Sequence, residues 1–376
     1  MFSSRLHWSL ALNPVSKLLA AKRAAGDTIL DLTESNPADA GLDVPAEQIL
    51  EALADPRSLR YTPVAAGLRS ARDAVSEYYG GRVEADRILL TTSTSDAYAY
   101  LFKLLTDPGD NILTPRPSYP LFEFLAGMEL VQTIPYSLDF DDLDERVDAH
   151  TRAIVIVNPN NPTGTFLKRH QLDRLIAFCQ KHALAIISDE VFADYVLSDS
   201  PSRVPSLINV HEVLTFSLSG LSKVAGLPQM KLGWIAVSGP AEVQRSAIER
   251  LELIADTYLS VSTPVQWAAP KLLQLGRGIR GQIADRNKAN LGELRRALSE
   301  HPACRLLEPE GGWYAVVEVP RIRTEEEWLL ELLERDDVLI QPGFFYDFER
   351  EAYVVLSLLT APDKFETGVQ RIFKGL

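Results

Sequence analysis

The stretch AIVIVNPNNPTGTFLKRHQLDRLIAFCQKHALAIISD, residues 153–189, decides the fold class of this chain. Near its ends lie two short apolar runs rich in β-branched residues, 153–158 and 184–188, which lack the alternation of a half-exposed strand. Such runs are typical of strands buried on both faces of a sheet. Residues 168–182, between them, have the apolar spacing of an amphipathic helix. This alternation predicts a mainly parallel sheet with helices on both faces.

The same alternation recurs along the first two thirds of the 376 residues and predicts seven strands. They are expected at residues 87–92, 111–114, 130–136, 153–158, 184–188, 213–218 and 233–238. Beyond residue 240 the pattern changes to two long helices, 241–256 and 271–299, the second of which Gly276 and Gly278 could interrupt. A turn-rich stretch, 309–320, and a final α+β segment follow.

These patterns and the chain length predict two domains. The larger, residues 41–265, is expected to hold the mainly parallel seven-stranded sheet and its flanking helices. The smaller, residues 266–376, is expected to be an α+β domain, and an N-terminal arm, residues 1–40, is expected to pack with it.

Composition narrows the classes of partner. The net charge of −13 disfavours binding to nucleic acid or to anionic lipid. The two cysteines, Cys179 and Cys304, suit a reducing compartment, and no cysteine or histidine pair has the spacing of a zinc site. The N-terminus lacks the features of a signal peptide, and no window is apolar enough for a membrane span. We therefore expect a cytoplasmic protein without a metal, a membrane anchor or a nucleic-acid partner.

Hydroxyl residues follow the first predicted strand in LTTSTSDAYAYLFKLL, residues 90–105. Ser93 and Thr94 stand where a helix begins, and the backbone N–H groups and positive dipole end of a helix suit a phosphate group. The alternative is an ordinary helix cap ahead of Asp96.

A second strand runs into two Asn-Pro turns and a glycine in VNPNNPTG, residues 157–164. Asn161 would then stand near the carboxyl end of the strand, where its amide can donate to a ligand oxygen. The alternative is that these residues serve only the turn.

A carboxylate directly follows the apolar strand in AIISDEVFADY, residues 185–195. Asp189 needs a cationic or N–H partner there, because burying an unpaired carboxylate is costly. A protonated ring nitrogen of a cofactor would serve, and so would a structural ion pair with a lysine or arginine.

A lysine follows another strand in TFSLSGLSKVAGLPQMKLGW, residues 215–234. Lys223 is expected in a loop of small residues, where a desolvated amine near a phosphate site readily forms a Schiff base. The alternative is an ordinary surface lysine.

In this order along one α/β sheet, the four stretches resemble the fold type I enzymes that use pyridoxal 5′-phosphate (PLP), and most of all the class I/II aminotransferases. The resemblance covers nearly the whole chain. It implies that Lys223 holds PLP as a Schiff base, that Asp189 pairs with the ring nitrogen, and that Asn161 binds the ring hydroxyl. The residues implied for the phosphate are Ser93, Thr94, Ser219 and Ser222.

Two aromatic residues extend the resemblance. Tyr119 in PRPSYPLF matches an aromatic that stacks on the PLP ring. Tyr61 in RYTPVAAGLRSAR matches a tyrosine that reaches the phosphate of the neighbouring subunit's cofactor. The resemblance therefore implies a homodimer with composite active sites. The stretches LSVSTPVQ around Ser262 and EGGWY around Gly312 also have counterparts in the family.

The function implied is amino transfer between a small-molecule amino donor and a carbonyl acceptor. The same fold and cofactor also serve decarboxylases, β-lyases and acyl-condensing synthases. A PLP-fold sensor domain of a transcription regulator and a cofactor-free binding module are further alternatives. The sequence does not distinguish amino transfer from the other PLP reactions, since the reaction depends on which bond of the substrate lies perpendicular to the cofactor ring.

Three positions depart from the family pattern. Lys231 replaces an arginine that clamps the phosphate, and supplies the charge without the bidentate fork. Phe192 replaces a tyrosine whose hydroxyl supports the ring oxygen, so the pKa of the Schiff base is expected to rise. Val355 replaces the arginine that binds the substrate α-carboxylate. No arginine stands near Tyr258, where dicarboxylate-specific members of the family carry one, so an aspartate aminotransferase is not expected. Either another cation, with Arg116 as the candidate, holds that carboxylate, or the substrate lacks one.

Overall fold

The computed structural model describes residues 2–6 and 8–374 of the chain. Its strands are β1 Leu30–Asp31, β2 Ile88–Thr91, β3 Asn111–Arg116, β4 Gln132–Ser137, β5 Thr151–Val157, β6 Ala185–Asp189, β7 Thr215–Gly220, β8 Gly233–Ser238, β9 Arg305–Leu307, β10 Tyr314–Glu318, β11 Val338–Leu339, β12 Gln341–Pro342 and β13 Tyr353–Ser357. Its α-helices are α1 Pro14–Ala25, α2 Ala46–Leu53, α3 Arg69–Tyr78, α4 Thr94–Leu105, α5 Phe122–Met128, α6 Leu143–Arg146, α7 Arg169–His182, α8 Leu221–Val224, α9 Ala241–Tyr258, α10 Thr263–Leu298, α11 Glu325–Asp336 and α12 Pro362–Lys374.

The seven predicted strands form one sheet in the order β2-β8-β7-β6-β5-β3-β4. Neighbouring strands from β7 to β4 are parallel, and β8 runs antiparallel to both β2 and β7. Successive residues of β6 bury opposite faces, because Ile186 joins one apolar cluster and Ile187 another. The predicted fold class, a mainly parallel sheet covered on both faces, is confirmed.

A second, antiparallel sheet has the order β12-β13-β10-β9. Side chains on one of its faces, such as Val317 and Leu356, form a core with α11, α12 and the end of α10. Leu32, just beyond β1, is buried in the same core, and β1 pairs in parallel with β11. The other face, with Tyr314 and Val355, turns towards an apolar cluster shared with the large sheet.

The longest helix corrects one prediction. Helix α10 begins at Thr263, eight residues before the predicted start, and continues through Gly276 and Gly278 without a break. At Gly276 the glycine serves close packing, since a Cβ there would lie 2.3 Å from the Cβ of Ala225. The predicted interruption is therefore wrong, whereas the predicted domain limits remain a prediction. Among the described residues, no helix is both long and apolar enough to cross a membrane.

Candidate active site

The site lies where β5, β6 and β7 end side by side. Val157 pairs with Asp189, and Asp189 in turn pairs with Leu218, so the carboxyl ends of the three strands are level. The loop 158–164, the Asp189 side chain and helix α8 therefore meet at one edge of the sheet. This is the edge where doubly wound sheets bind ligands.

Asp189 is the last residue of β6, and both of its carboxylate oxygens accept hydrogen bonds. The Val191 N–H donates to Oδ1 at 3.2 Å, and the Tyr98 hydroxyl donates to Oδ2 at 3.2 Å. Desolvation raises the pKa of Asp189 to about 6, against the lowering effect of these two donors and of Lys223. The carboxylate thus stays mostly ionised at neutral pH and can accept a further N–H.

Lys223 lies on α8, the one-turn helix after β7, and not in the loop that the sequence predicts. The turn closes because the Ala225 N–H donates to the Leu221 carbonyl at 3.1 Å. The small side chains around Lys223 were therefore not a sufficient reason to predict a loop. The backbone of Lys223 is therefore held in place, which fixes the position from which its long, otherwise mobile side chain extends.

The amine of Lys223 is surrounded by aromatic rings. Its Nζ lies 4.5 Å from the ring centroid of Trp313 and 5.5 Å from that of Phe192, and it donates to the Ser35 carbonyl at 3.4 Å. Burial lowers the pKa of Lys223 to about 8, although the Asp189 charge opposes the shift. A fraction of the amine is therefore neutral near pH 7, as a nucleophile or a general base requires.

Asn161 lies in the loop 158–164, past the end of β5. The loop is anchored at the start, where the Asn158 N–H donates to the Asp189 carbonyl at 2.8 Å. At its end the Gly311 N–H donates to the Gly164 carbonyl at 2.9 Å. The buried Oδ1 of Asn161 has no hydrogen-bond partner among the described residues.

Hydroxyl groups surround the start of α4 and the end of β7. Ser93 is the N-cap of α4, and its Oγ accepts from the Asp96 N–H at 3.1 Å, so the predicted capping role is real. Thr94 is the first helical residue. The buried Oγ of Ser219 finds no partner within the described part of the chain, while Ser222 is half-buried on α8.

Within the described part of the chain, three of the predicted cofactor residues make no side-chain hydrogen bond to the other site residues. Tyr61 is 79 % exposed and lies in a surface recess with Tyr100 and Ser260. Tyr119 follows β3 and is 48 % exposed. Lys231 is exposed in a left-handed conformation, φ 49°, just before β8.

One face of the small sheet packs into the apolar cluster that contains the aromatic rings beside Lys223. Val355 is 1 % exposed and belongs to the same cluster as Phe192, Trp313 and Tyr314. The ring centroid of Tyr314 lies 6.2 Å from that of Phe192 and 6.3 Å from that of Tyr346.

Arg116, the candidate carboxylate receptor, already has a partner. Its Nε donates to the Asp347 carbonyl at 2.9 Å, and its guanidinium forms an ion pair with the Asp347 carboxylate at 3.0 Å. A substrate carboxylate would therefore have to displace Asp347 to reach it.

The chemistry of these groups fits PLP. A carboxylate that can accept a ring N–H, an amide, a hydroxyl with an unused buried oxygen, and a desolvated amine for an aldehyde lie on adjacent strand ends. A buried hydroxyl without a partner calls for an explanation, and the Ser219 Oγ can donate to a phosphate oxygen. The unpaired Oδ1 of Asn161 is an acceptor, so its amide N–H is the group that could donate to a ring oxygen.

Two residues that contact the site, Tyr98 and Ser35, are not predicted by the sequence. Tyr98 stands in the stretch 90–105, but its contact with Asp189 spans 91 residues and depends on how α4 packs on the sheet. Ser35 contacts Lys223 through its backbone carbonyl, so its side chain carried no signal.

Comparisons with known proteins identify the family of the chain. The sequence model of the family "Aminotransferase class I and II" matches residues 27–371. The chain is 30 % identical to the alanine aminotransferase of Mycobacterium tuberculosis H37Rv, over 96 % of this chain and 88 % of that protein. It is 26 % identical to the glutamate-pyruvate aminotransferase AlaA of Escherichia coli K12, over 96 % and 94 % of the two chains.

Solved structures share the fold. An alanine aminotransferase from Pyrococcus furiosus has a TM-score of 0.86 at 23 % identity, and covers 100 % of this chain with 99 % of its own. A Thermus thermophilus aspartate aminotransferase has a TM-score of 0.85 at 21 % identity, with 100 % of both chains covered. The chain belongs to the class I and II aminotransferases. It is a PLP-dependent aminotransferase, as the sequence predicts.

Proposed function

We propose that Lys223 holds PLP and moves the substrate proton in an amino transfer between a small amino donor and a keto acid or aldehyde. The observation that carries the proposal is the meeting of the Lys223 amine, whose pKa is about 8, with the Asp189 carboxylate at neighbouring strand ends. Bound PLP supplies an electron sink for the negative charge that develops at the substrate carbon. The neutral Lys223 amine would take the proton from that carbon and serve as the proton carrier of the amino transfer.

The other residues would hold and orient the cofactor. Asp189 would accept the ring N–H and keep that nitrogen protonated, and the Asn161 amide would donate to the ring oxygen. Tyr119 would stack on the ring, and Phe192 offers no hydroxyl to the ring oxygen. The residues that would hold the phosphate, at the start of α4 and near the end of β7, are Ser93, Thr94, Ser219, Ser222 and Lys231.

Borohydride reduction of the holoenzyme, followed by peptide mapping, tests the anchor. The reduced cofactor is expected on Lys223. Lys231 lies eight residues away in the same region of the chain and serves as the internal control. A label on Lys231, or on neither lysine, would refute the proposal.

We further propose a cytoplasmic homodimer in which Tyr61 serves the partner's cofactor. The 79 % exposure of Tyr61 supports this, since a large aromatic side chain in solvent is a candidate interface residue. The buried free thiols of Cys179 and Cys304 suit a reducing compartment. Mixing inactive Lys223→Ala subunits with inactive Tyr61→Phe subunits should restore activity in hybrid dimers. A fully active monomer in sedimentation would contradict the composite site.

The substrate has two candidates. The relatives named alanine and glutamate-pyruvate aminotransferases favour alanine or glutamate as donor and a keto acid as acceptor. The buried Val355 and the ion-paired Arg116 favour an amine or amino aldehyde without an α-carboxylate. A panel of amino acids and amines, followed by the conversion of the cofactor's absorbance band, separates the two.

A further inference from the structure

Tyr98 contacts the Asp189 carboxylate but has no role in the proposed mechanism. It lies on α4, and its hydroxyl donates to Asp189 Oδ2 at 3.2 Å. Its ring is 2 % exposed and packs between Phe102 and Phe122, at centroid distances of 5.9 and 5.4 Å. These contacts hold the phenol in one place, so the hydroxyl is directed at the carboxylate by the core.

The phenol remains a donor over the working pH range. Burial, followed by the charge of Asp189, raises the pKa of Tyr98 well above its ordinary value of 10. Tyr136 is the other titratable group that influences it. The phenolic proton therefore stays on Tyr98 and is available to a carboxylate.

Asp189 needs such a donor because its surroundings work against its charge. The groups that oppose the effect of desolvation are the Val191 N–H, the Tyr98 hydroxyl and the Lys223 amine. Two of these three groups donate hydrogen bonds to the carboxylate itself. A hydrogen bond to a charged acceptor is about twice as strong as one between neutral groups.

We infer that Tyr98 is a positioning residue that keeps the Asp189 carboxylate ionised and oriented for the ring nitrogen of the cofactor. The inference rests on the proposed PLP site. The Val191 N–H donates to one carboxylate oxygen and the Tyr98 hydroxyl to the other, so the carboxylate is held in one rotational orientation. A ring N–H then meets a preformed acceptor.

The test measures binding to the cofactor-free protein. PLP is compared with 1-deaza-PLP, in which a C–H replaces the ring nitrogen, so that only PLP can exploit Asp189. Both carry the same aldehyde and phosphate, and the ratio of their affinities therefore cancels the contribution of Lys223. Tyr98→Phe keeps the ring and removes the hydroxyl. It should lower the preference for PLP about tenfold, while affinity for 1-deaza-PLP stays unchanged.

The pH profile gives a readout that a loss of packing would not produce. Without the hydroxyl, the ionised form of Asp189 is less stable and its pKa rises. As the pH is lowered, Tyr98→Phe should therefore lose its preference for PLP at a pH about one unit higher than the unmodified protein does. Tyr136→Phe is the matched control, because it removes another buried hydroxyl, which donates to the Val155 carbonyl at 2.6 Å.

Asp189→Asn distinguishes a failure of the proposed PLP site from a failure of the role of Tyr98. If Asp189→Asn leaves the preference for PLP intact, the proposed site is wrong and the role of Tyr98 falls with it. If Asp189→Asn removes the preference but Tyr98→Phe does not, or if Tyr136→Phe lowers it equally, only the role of Tyr98 is overturned. Tyr98→Met, which also fills the space without a hydroxyl, repeats the measurement should Tyr98→Phe fold poorly.

Discussion

The two surfaces that meet around Lys223 differ in how they present polar groups. The edge of the large sheet offers a carboxylate, an amide and hydroxyls, and two of its buried polar atoms have no partner among the described residues. The face of the small sheet offers Val355 and aromatic rings, and the nearby Asp347 is already paired with Arg116 at the end of β3. The first surface has the polar groups that suit a polar cofactor, whereas the second has the apolar side chains that exclude water and charge.

Removal of the amine from the polar surface should have the largest effect. Lys223→Ala removes both the anchor and the proton carrier, so turnover should fall at least about a thousandfold. Steady-state kinetics with a saturating donor measures the loss. Lys181→Ala is the control, since Lys181 is an exposed lysine paired with Asp144. Retention of most activity in Lys223→Ala would mean that the polar surface is not the catalytic one.

The pH dependence of the same amine should be the next largest effect. Only the neutral amine attacks an aldehyde, so capture of benzaldehyde by the cofactor-free protein should rise about tenfold per pH unit and level off near pH 8, the pKa of Lys223. Asp189→Asn removes a charge that raises this pKa, so the plateau should begin at lower pH. The measurement is the imine absorbance that Lys223→Ala lacks. A plateau only near the ordinary lysine value of 10.5 would show that the site does not desolvate the amine.

A charge placed on the apolar surface sharpens the comparison. Val355→Arg would offer a carboxylate receptor where the small sheet now has none, so the KM for alanine should fall about tenfold. Val355→Met, which adds length without charge, is the control and should not improve binding. If the unmodified enzyme already uses alanine efficiently and Val355→Arg weakens it, a carboxylate is held elsewhere in the site.

Arg116 should show the smallest effect. If it serves only Asp347, Arg116→Ala removes a partly exposed ion pair and lowers the free energy of unfolding by less than about 1 kcal/mol. The KM for amino acids should not change. Chemical denaturation and substrate titration check the two quantities. A large rise in KM would instead show that Arg116 leaves Asp347 to bind substrate, and the two surfaces would then share the recognition of charge.

The sequence predicts the polar surface far better than the apolar one. Strands buried on both faces show as apolar runs, and polar residues such as Asp189 stand out directly after them. The residues that contact this polar surface from other parts of the fold depend on packing between segments that are distant in sequence. The hydroxyl of Tyr98 reaches Asp189 only after α4 docks on the sheet, and the carbonyl of Ser35 reaches Lys223 from 188 residues away.

The error in α10 has the same origin. Glycine is a poor helix former, so Gly276 and Gly278 favoured an interruption. In the structure the absence of a side chain at Gly276 lets α10 lie against Ala225, which compensates for the weak local preference. Local preference was overridden by a contact that only the folded chain provides.

Helix α10 also has a consequence for how the two sheets are joined. Its 36 residues make a rod about 54 Å long. Ile279 and Ile283 pack in the cluster beside the large sheet, whereas Leu291 and Leu294 pack under the small one. The same helix therefore contacts both sheets, and its closest approach at Gly276 is to Ala225, two residues beyond Lys223.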